Sequence, residues 1–347
     1  MRPDWHVIGY HRGPVMHPIT TSQYTGRLIE CPGDRFDAWR RWRLPAAAKA
    51  DNIDLLHCPA NLTPPWLPSP TMVTIHDLLP LNGTKKLART MAASIRRCVN
   101  HGTVIITPSH YTADQLVGHF NAAPQRIVVN HRAADQAMVH IHDDSQLSEV
   151  AGRYELDARP ILHLGAPDPR KNTINAIQAF AALPADIRAE TPLLVIGLDQ
   201  QAHRREMAEL CERLHVRDTV KLHGFADEAD MPALFSMARV LLYPSRSEGF
   251  GLPILDAWMT RTAVLTSETT SLPEVGGNAA IYVDPEKPTE ITEQLHRLLT
   301  DSAHRSAMVR AGVERVTQFS WERTAERFIV AVESAVNQKR GQCLDAA

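Results

Sequence analysis

The sequence predicts an α/β protein made of two doubly wound, parallel-sheet domains. Three observations carry that expectation. The chain has 347 residues, about twice an ordinary domain of ~150. Its second half alternates six short apolar runs with helix-patterned segments, as strands buried on both faces by crossover helices do. The first half repeats that alternation less cleanly.

Taken in order, first-half strands are expected at Val7–Tyr10, Leu28–Cys31, Leu55–Cys58, Met72–Ile75, Val104–Thr107 and Arg126–Val129. Helices are expected near 36–49, 85–101 and 112–120. The polar stretch His142–Arg159, closed by Pro160, reads as the join, dividing the chain into domains 1–155 and 160–318. Second-half strands are expected at Ile161–Leu164, Leu193–Ile196, Val220–Leu222, Val240–Tyr243, Ala263–Thr266 and Ala280–Val283, with helices near 173–183, 201–214, 229–238, 254–259 and 289–299. Such sheets bind ligands beyond the carboxyl ends of their strands, so two of them facing one another would frame a cleft.

Charge excludes some functions and hides an asymmetry. With 37 Lys+Arg against 39 Asp+Glu, the chain lacks the basic excess of a dedicated nucleic-acid binder. Yet residues 1–101 hold 13 Lys+Arg and 7 Asp+Glu, leaving 24 and 32 for the rest. At helical spacing, Lys85, Lys86, Arg89, Arg96 and Arg97 fall on one face, and Leu87, Met91, Ile95 and Cys98 fall on another. That basic face is either a solvated surface or a contact for anionic lipid or an anionic acceptor. Five scattered cysteines without a CxxC pair fit a reducing compartment. No basic-then-apolar leader and no apolar run of membrane-spanning length is seen, so a cytoplasmic protein is expected.

Three loops at strand carboxyl ends carry candidate chemistry. The first is Pro244-Ser-Arg-Ser-Glu-Gly-Phe-Gly-Leu-Pro-Ile-Leu-Asp256. Gly249 and Gly251 allow close backbone approach to a ligand, and Pro253 suits the first position of a helix. The N–H groups of Phe250, Gly251 and Leu252 would then point at an anion. Glu248 stands where its carboxylate would accept hydrogen bonds from sugar hydroxyls; Asp256 either serves the ligand or complements the helix dipole. The second loop, Gly165-Ala-Pro-Asp-Pro-Arg-Lys-Asn172, places Arg170 and Lys171 at a helix start that Asn172 is expected to cap. Cations are unfavourable there, so an anion such as a diphosphate is a natural reason for them. The third, Thr74-Ile-His-Asp77, ends a first-domain strand with His76, a structural or a cleft-facing histidine.

In order along the chain, ILHLGAPDPRKN, VKLHGFADEADMPALFSMARVLLYPSRSEGFGLPILDAW and SLPEVGGNAAIYVDP resemble the nucleotide-sugar domain of family 4 glycosyltransferases of the GT-B fold, and FSWERTAERF resembles the start of their helix crossing back to the first domain, here 320–340. The first half matches more thinly, through DLLHCPANLTPPWLPSPTMVTIHDLLPL and TVIITPSHYTADQL. The resemblance implies a GT-B pair of Rossmann-like domains, the first on the acceptor side and the second holding the donor. It makes Glu248 the first acid of the family's E-x7-E motif, near the donor sugar. Asp256, one methylene shorter than the usual second Glu, falls to the ribose. Lys171, helped by Arg170, would neutralise the diphosphate, Gly165 would line the donor loop, and His76 would meet the transferred sugar. Ala166 replaces a frequent family arginine. The family's opening strand and Gly-rich loop are expected to be missing, because Trp5–Tyr10 resembles its second strand; Arg12–Thr21 is a candidate substitute.

No Asp-x-Asp, HExxH or GxxxxGK occurs, so neither a metal site nor a cofactor is expected, and protein cations must stabilise the leaving group. The resemblance implies retaining, metal-independent transfer of a hexose, with mannose from GDP-mannose favoured. A donor phosphate oxygen would take the acceptor's proton, and domain closure would exclude water. The acceptor would be a glycan or a polyprenyl-diphosphate-linked chain in surface polysaccharide synthesis, reached from the inner face of the membrane. The alternatives are a non-catalytic GT-B subunit that binds nucleotide sugar or a partner enzyme, and a GT-B sugar-nucleotide epimerase, which the Glu248 loop fits poorly.

Overall fold

The computed structural model describes residues 4–14, 19, 21–31, 33–34, 37–66, 70–78, 85–101 and 103–344. Much of the segment Arg12–Thr21 therefore lies outside the described residues, as does the side chain of Lys85. The chain forms two compact units.

The first unit takes the described residues of Met1–Thr107, Ala113–Val129 and Arg327–Ala347. Strand β1 (Val7–His11) pairs in parallel with β2 (Tyr24–Leu28) as a two-stranded sheet. The second strand, expected at Leu28–Cys31, thus ends where it should have begun. Its register with β1 defines it, while Thr25–Leu28 are exposed and form no apolar run. After a π-helical turn at Trp39–Arg43 come α1 (Leu44–Ala50), β3 (Leu56–Cys58), β4 (Thr71–Thr74), α2 (Lys85–Asn100), β5 (Val104–Thr107), α3 (His110–Phe120, in this unit from Ala113 onward) and β6 (Ile127–Val129). Strands β3-β4-β5-β6 form a parallel sheet in sequence order.

Side-chain alternation covers both faces of this sheet. Val73 and Ile105 pack with Met91, Ile95 and Cys98 of α2, whereas Met72, Val104 and Ile106 pack with Ala331 and Ala335 near the C terminus. On α2, Lys86, Arg89 and Arg96 are exposed as expected. Arg97 instead lies half-buried and donates to the Pro64 carbonyl at 3.3 Å, and Leu87, expected on the apolar side, is exposed.

The second unit takes Pro108–Thr112 and Asn130–Glu326. Its elements are α4 (Asp144–Arg153), β7 (Ile161–Leu164), α5 (Thr173–Ala181), α6 (Ala185–Glu190), β8 (Leu193–Ile196), α7 (Gln201–Arg213), β9 (Val220–Leu222), α8 (Met231–Met237), β10 (Val240–Tyr243), α9 (Leu252–Met259), β11 (Ala263–Ser267), α10 (Leu272–Gly276), β12 (Ile281–Val283), α11 (Pro288–Thr300), α12 (Ser302–Val316) and the start of α13 (Trp321–Leu344). The six strands are parallel, ordered β12-β11-β10-β7-β8-β9. Leu162, Leu194, Leu241 and Val264 face one core, and Ile161, Leu193, Leu242 and Leu265 face the other.

The boundary expected at residue 155 falls instead between Val129 and Asn130. What reads as a polar join is the helix α4, whose N-cap Asp143 accepts from Ser145 N–H. At its end, Arg153 holds Asp230 with two hydrogen bonds, of 2.5 and 3.1 Å, and Tyr154, the C-cap, adds a third at 3.1 Å. Helix α13 leaves the second unit after Glu326; from Arg327 onward it belongs to the first.

Candidate active site

The order of the second sheet fixes where its site must lie. From β7 the chain winds outward through β8 and β9; from β10 it winds the other way through β11 and β12. Adjacent strands β7 and β10 therefore mark the topological switch point, beyond whose carboxyl ends ligands of such sheets bind. The two loops richest in candidate residues leave from these two strands.

After β7, Gly165 donates its N–H to Ile196 O at 2.7 Å. A Cβ on Gly197, whose φ is +98°, would lie 2.2 Å from the Gly165 carbonyl oxygen. The main chains of the two loops thus touch, and only glycine fits. Asp168 then caps a tight turn, Pro169–Lys171, by accepting from Arg170 N–H at 3.0 Å. Asn172, buried in the left-handed region at φ 60°, does not cap α5 as expected. Its amide nitrogen instead donates to the carbonyls of Pro244 at 3.0 Å and Pro285 at 2.7 Å, binding together the loops after β7, β10 and β12.

The cations of the first loop meet carboxylates. Lys171 Nζ lies 2.8 Å from Glu248 Oε1 and 3.2 Å from Tyr243 Oη, and the Tyr243 hydroxyl donates to the same Glu248 oxygen at 2.6 Å. Arg170 pairs with Asp168, with its Nε 2.9 Å from Oδ2. Burial works against ionisation of Asp168, but the Arg170 side chain and N–H outweigh it and hold the carboxyl below its usual range. Burial, reinforced by the Glu248 charge, pushes the Tyr243 hydroxyl far up, so it remains a donor. The sequence called for an anion beside both cations; the protein supplies a carboxylate to each.

The loop after β10 is held from several sides. Arg246 N–H donates to Arg170 O at 2.8 Å, and Ser271 Oγ donates to the carbonyls of Glu248 and Phe250, both at 2.9 Å. Ser109 Oγ donates to Gly249 O at 2.8 Å. Gly251, at φ +116°, opens α9 without a side-chain cap, so the helix start presents the Leu252 N–H uncapped, while Pro253 has no N–H to offer. The Phe250 ring is only 5% exposed and packs in the core, leaving its backbone alone to meet a ligand.

Asp256 is not joined to the Lys171–Glu248 group. It lines a cavity of about 580 Å³ with Leu252, Arg132, Asp135, Gln136 and Trp321, to which neither Lys171 nor Glu248 contributes. Its Oδ1 is buried without a partner among the described residues, and burial pushes its carboxyl up to about 6, with the Asp135 N–H opposing. His76 sits in the first unit, where its N–H donates to Asn61 Oδ1 at 2.7 Å and its ring Nε2 donates to Pro59 O at 2.6 Å. Sequence reasoning missed Tyr243, which looked like the last core residue of a strand, and Arg132, in a stretch with no motif.

Two family models match in succession: Glycosyltransferase Family 4 over residues 11–137, and Glycosyl transferases group 1 over residues 151–315. The chain is a family 4 glycosyltransferase. Over 294 residues the glycosyltransferase is 29% identical to O-antigen chain mannosyltransferase B of Escherichia coli, covering 83% of this chain and 77% of that one. It is 26% identical to the serotype-specific mannosyltransferase WbdA of Escherichia coli over 80% of its own length, but spans only 35% of that longer protein. The crystal structure of WaaG, a glycosyltransferase involved in lipopolysaccharide biosynthesis, superposes with a TM-score of 0.71 at 18% identity, covering 91% of this chain and 88% of that one. The fold class is accordingly GT-B.

Proposed function

We propose that this glycosyltransferase moves a hexose from a nucleoside diphosphate sugar to a glycan acceptor, with retention of configuration and without a metal ion. Mannose from GDP-mannose is the favoured donor, on the strength of the two mannosyltransferase relatives. A growing surface polysaccharide on a polyprenyl diphosphate carrier is the favoured acceptor.

The observation that carries this reading is the Lys171–Glu248–Tyr243 group at the switch point. A donor diphosphate entering there exchanges a phosphate oxygen for Glu248 on Lys171. The released carboxylate then accepts hydrogen bonds from sugar hydroxyls. Lys171 and the Gly251 and Leu252 N–H groups at the start of α9 stabilise the charge that develops on the departing nucleoside diphosphate. Arg170 gives further positive charge at the same loop, and the acceptor's proton passes to a donor phosphate oxygen.

The test is turnover by purified protein with GDP-mannose or UDP-hexoses and a lipid-linked oligosaccharide acceptor, with the anomeric configuration of the product read by NMR. Transfer from GDP-mannose that survives a chelator, with retention, is expected. Turnover with UDP-sugars alone overturns the donor assignment. Nucleotide binding without transfer or donor hydrolysis would make the chain a non-catalytic subunit.

The exposed Lys86, Arg89 and Arg96 of α2 are assigned to peripheral contact with anionic lipid at the cytoplasmic face of the membrane. No helix among the described residues is long and apolar enough to cross a membrane. Charge reversal at Lys86 and Arg89 should weaken binding to anionic liposomes and leave nucleotide affinity unchanged. Unchanged liposome binding overturns the assignment.

A further inference from the structure

Away from the Lys171–Glu248 group, the second unit gathers His110, His131 and Glu274, residues 143 and 164 positions apart in the two longer separations. One ligand-type atom from each lies within 4.8 Å of the others. His131 Nε2 is 2.7 Å from Glu274 Oε1, and the rings of His110 and His131 meet edge to face with centroids 5.8 Å apart.

The carboxylate is held in place. Its Oε1 accepts the His110 N–H at 2.9 Å and its Oε2 accepts the Tyr111 N–H at 3.2 Å. The His131 ring is walled by Phe250, stacked at 6.0 Å, and by Phe319 at 5.8 Å. His110 is exposed, so its ring has room to turn and the site opens to water on that side. Hydrogen bonds that orient a ligating carboxylate, together with an apolar wall, are what a metal site requires beyond its ligands.

We propose that His110, His131 and Glu274 bind one Zn²⁺ ion, with water as the fourth ligand. Two imidazoles and a carboxylate suit zinc, which takes N and O ligands at about 2.0–2.2 Å in tetrahedral geometry. That geometry separates ligand atoms by roughly 3.3 Å. The His131–Glu274 contact therefore opens slightly and the His110 ring closes, while the proton on His131 Nε2 moves to Nδ1 so that Nε2 can ligate. The ion takes no part in glycosyl transfer. It braces the loop after β10 from behind, because Ser109, next to His110, donates to Gly249 O and His131 stacks on Phe250. Sequence reading expected no metal because the three ligands come from three remote segments with no motif spacing.

The test is titration of the metal-free full chain with Zn²⁺ alone against a chromophoric chelator, with the Co²⁺-loaded protein read for the intense visible bands of a tetrahedral ion. Wild type is expected to bind one equivalent and to gain thermal stability with it. His110→Ala and His131→Ala should each weaken binding by about 10- to 100-fold. His110→Ala changes only an exposed ring, so folding is not at stake. A His140→Ala/His142→Ala variant, which removes the other close histidine pair (centroids 4.5 Å apart), should bind as wild type does. The proposal is overturned if wild type retains no Zn²⁺ at micromolar free metal, if both single variants bind as wild type, or if the His140/His142 variant is the one that loses the ion.

Discussion

Lys171 Nζ and Glu248 Oε1 stand 2.8 Å apart across the loops that leave β7 and β10, so the carboxylate competes for the cation that a donor diphosphate would meet. Glu248→Gln removes the competitor and should leave nucleoside diphosphate affinity unchanged or higher while transfer falls. Lys171→Ala should lower both, with transfer reduced by about 10²- to 10³-fold. Calorimetry with GDP alongside initial rates separates the two. Undiminished transfer by Lys171→Ala would falsify the assignment of the site.

Asp256 ionises against its surroundings. A carboxyl whose folded value is raised from 3.8 to about 6 keeps its proton longer in the folded chain. Its stabilising contribution is full below the ordinary value and is lost as pH rises through 6. Asp256→Asn should therefore gain on wild type by about 2 kcal/mol between pH 4 and pH 7.5. Parallel denaturation curves at the two pH values check this; a pH-independent difference contradicts it.

Buried histidines act in the opposite sense. His163 is fully buried, with Nδ1–H donating to Leu242 O at 2.9 Å and Nε2 accepting from the Thr173 hydroxyl at 3.1 Å. Burial pushes its value down to about 4, and the same cause does so for His57 in the first unit. The unfolded chain takes up these protons first, so stability holds above pH 6.5 and falls as pH drops towards 4, by about 3 kcal/mol for His163. Thermal midpoints across that window should decline in both units, and His163→Gln should flatten the slope for the second.

Gly197 leaves no room for a side chain. With φ at +98° and the Gly165 carbonyl 2.2 Å from the would-be Cβ, Gly197→Ala must move one main chain. It should lose at least 1–3 kcal/mol and weaken donor binding through the Gly165 loop. A variant of wild-type stability would show that these loops yield more easily than their contact implies.

The second unit was the more legible half because parallel strands buried on both faces read as unbroken apolar runs. The limits expected for β7, β8, β9 and β10 match those observed. Strand β2 was misplaced because Thr25–Leu28 face solvent, and α4 passed for a linker because its polar face outweighs the few residues, Val150 among them, that it buries. Glycine and proline spacing exposed the two loops of the candidate site. The Lys171–Glu248 pairing was not legible, since it depends on β7 and β10 being neighbours although their residues are 77 positions apart. Separating Asp256 from Glu248 likewise required seeing which way α9 faces.

The amide of Asn172 holds the carbonyls of Pro244 and Pro285 at once, and this has a practical consequence for exchanging donor preference between relatives. Grafting one loop from a homologue would leave Asn172 reaching for a carbonyl placed by a foreign backbone. A chimaera that carries 165–172, 244–251 and 284–286 together preserves the interlock, so specificity at this site should transfer as a set of three segments and fail when they are moved singly.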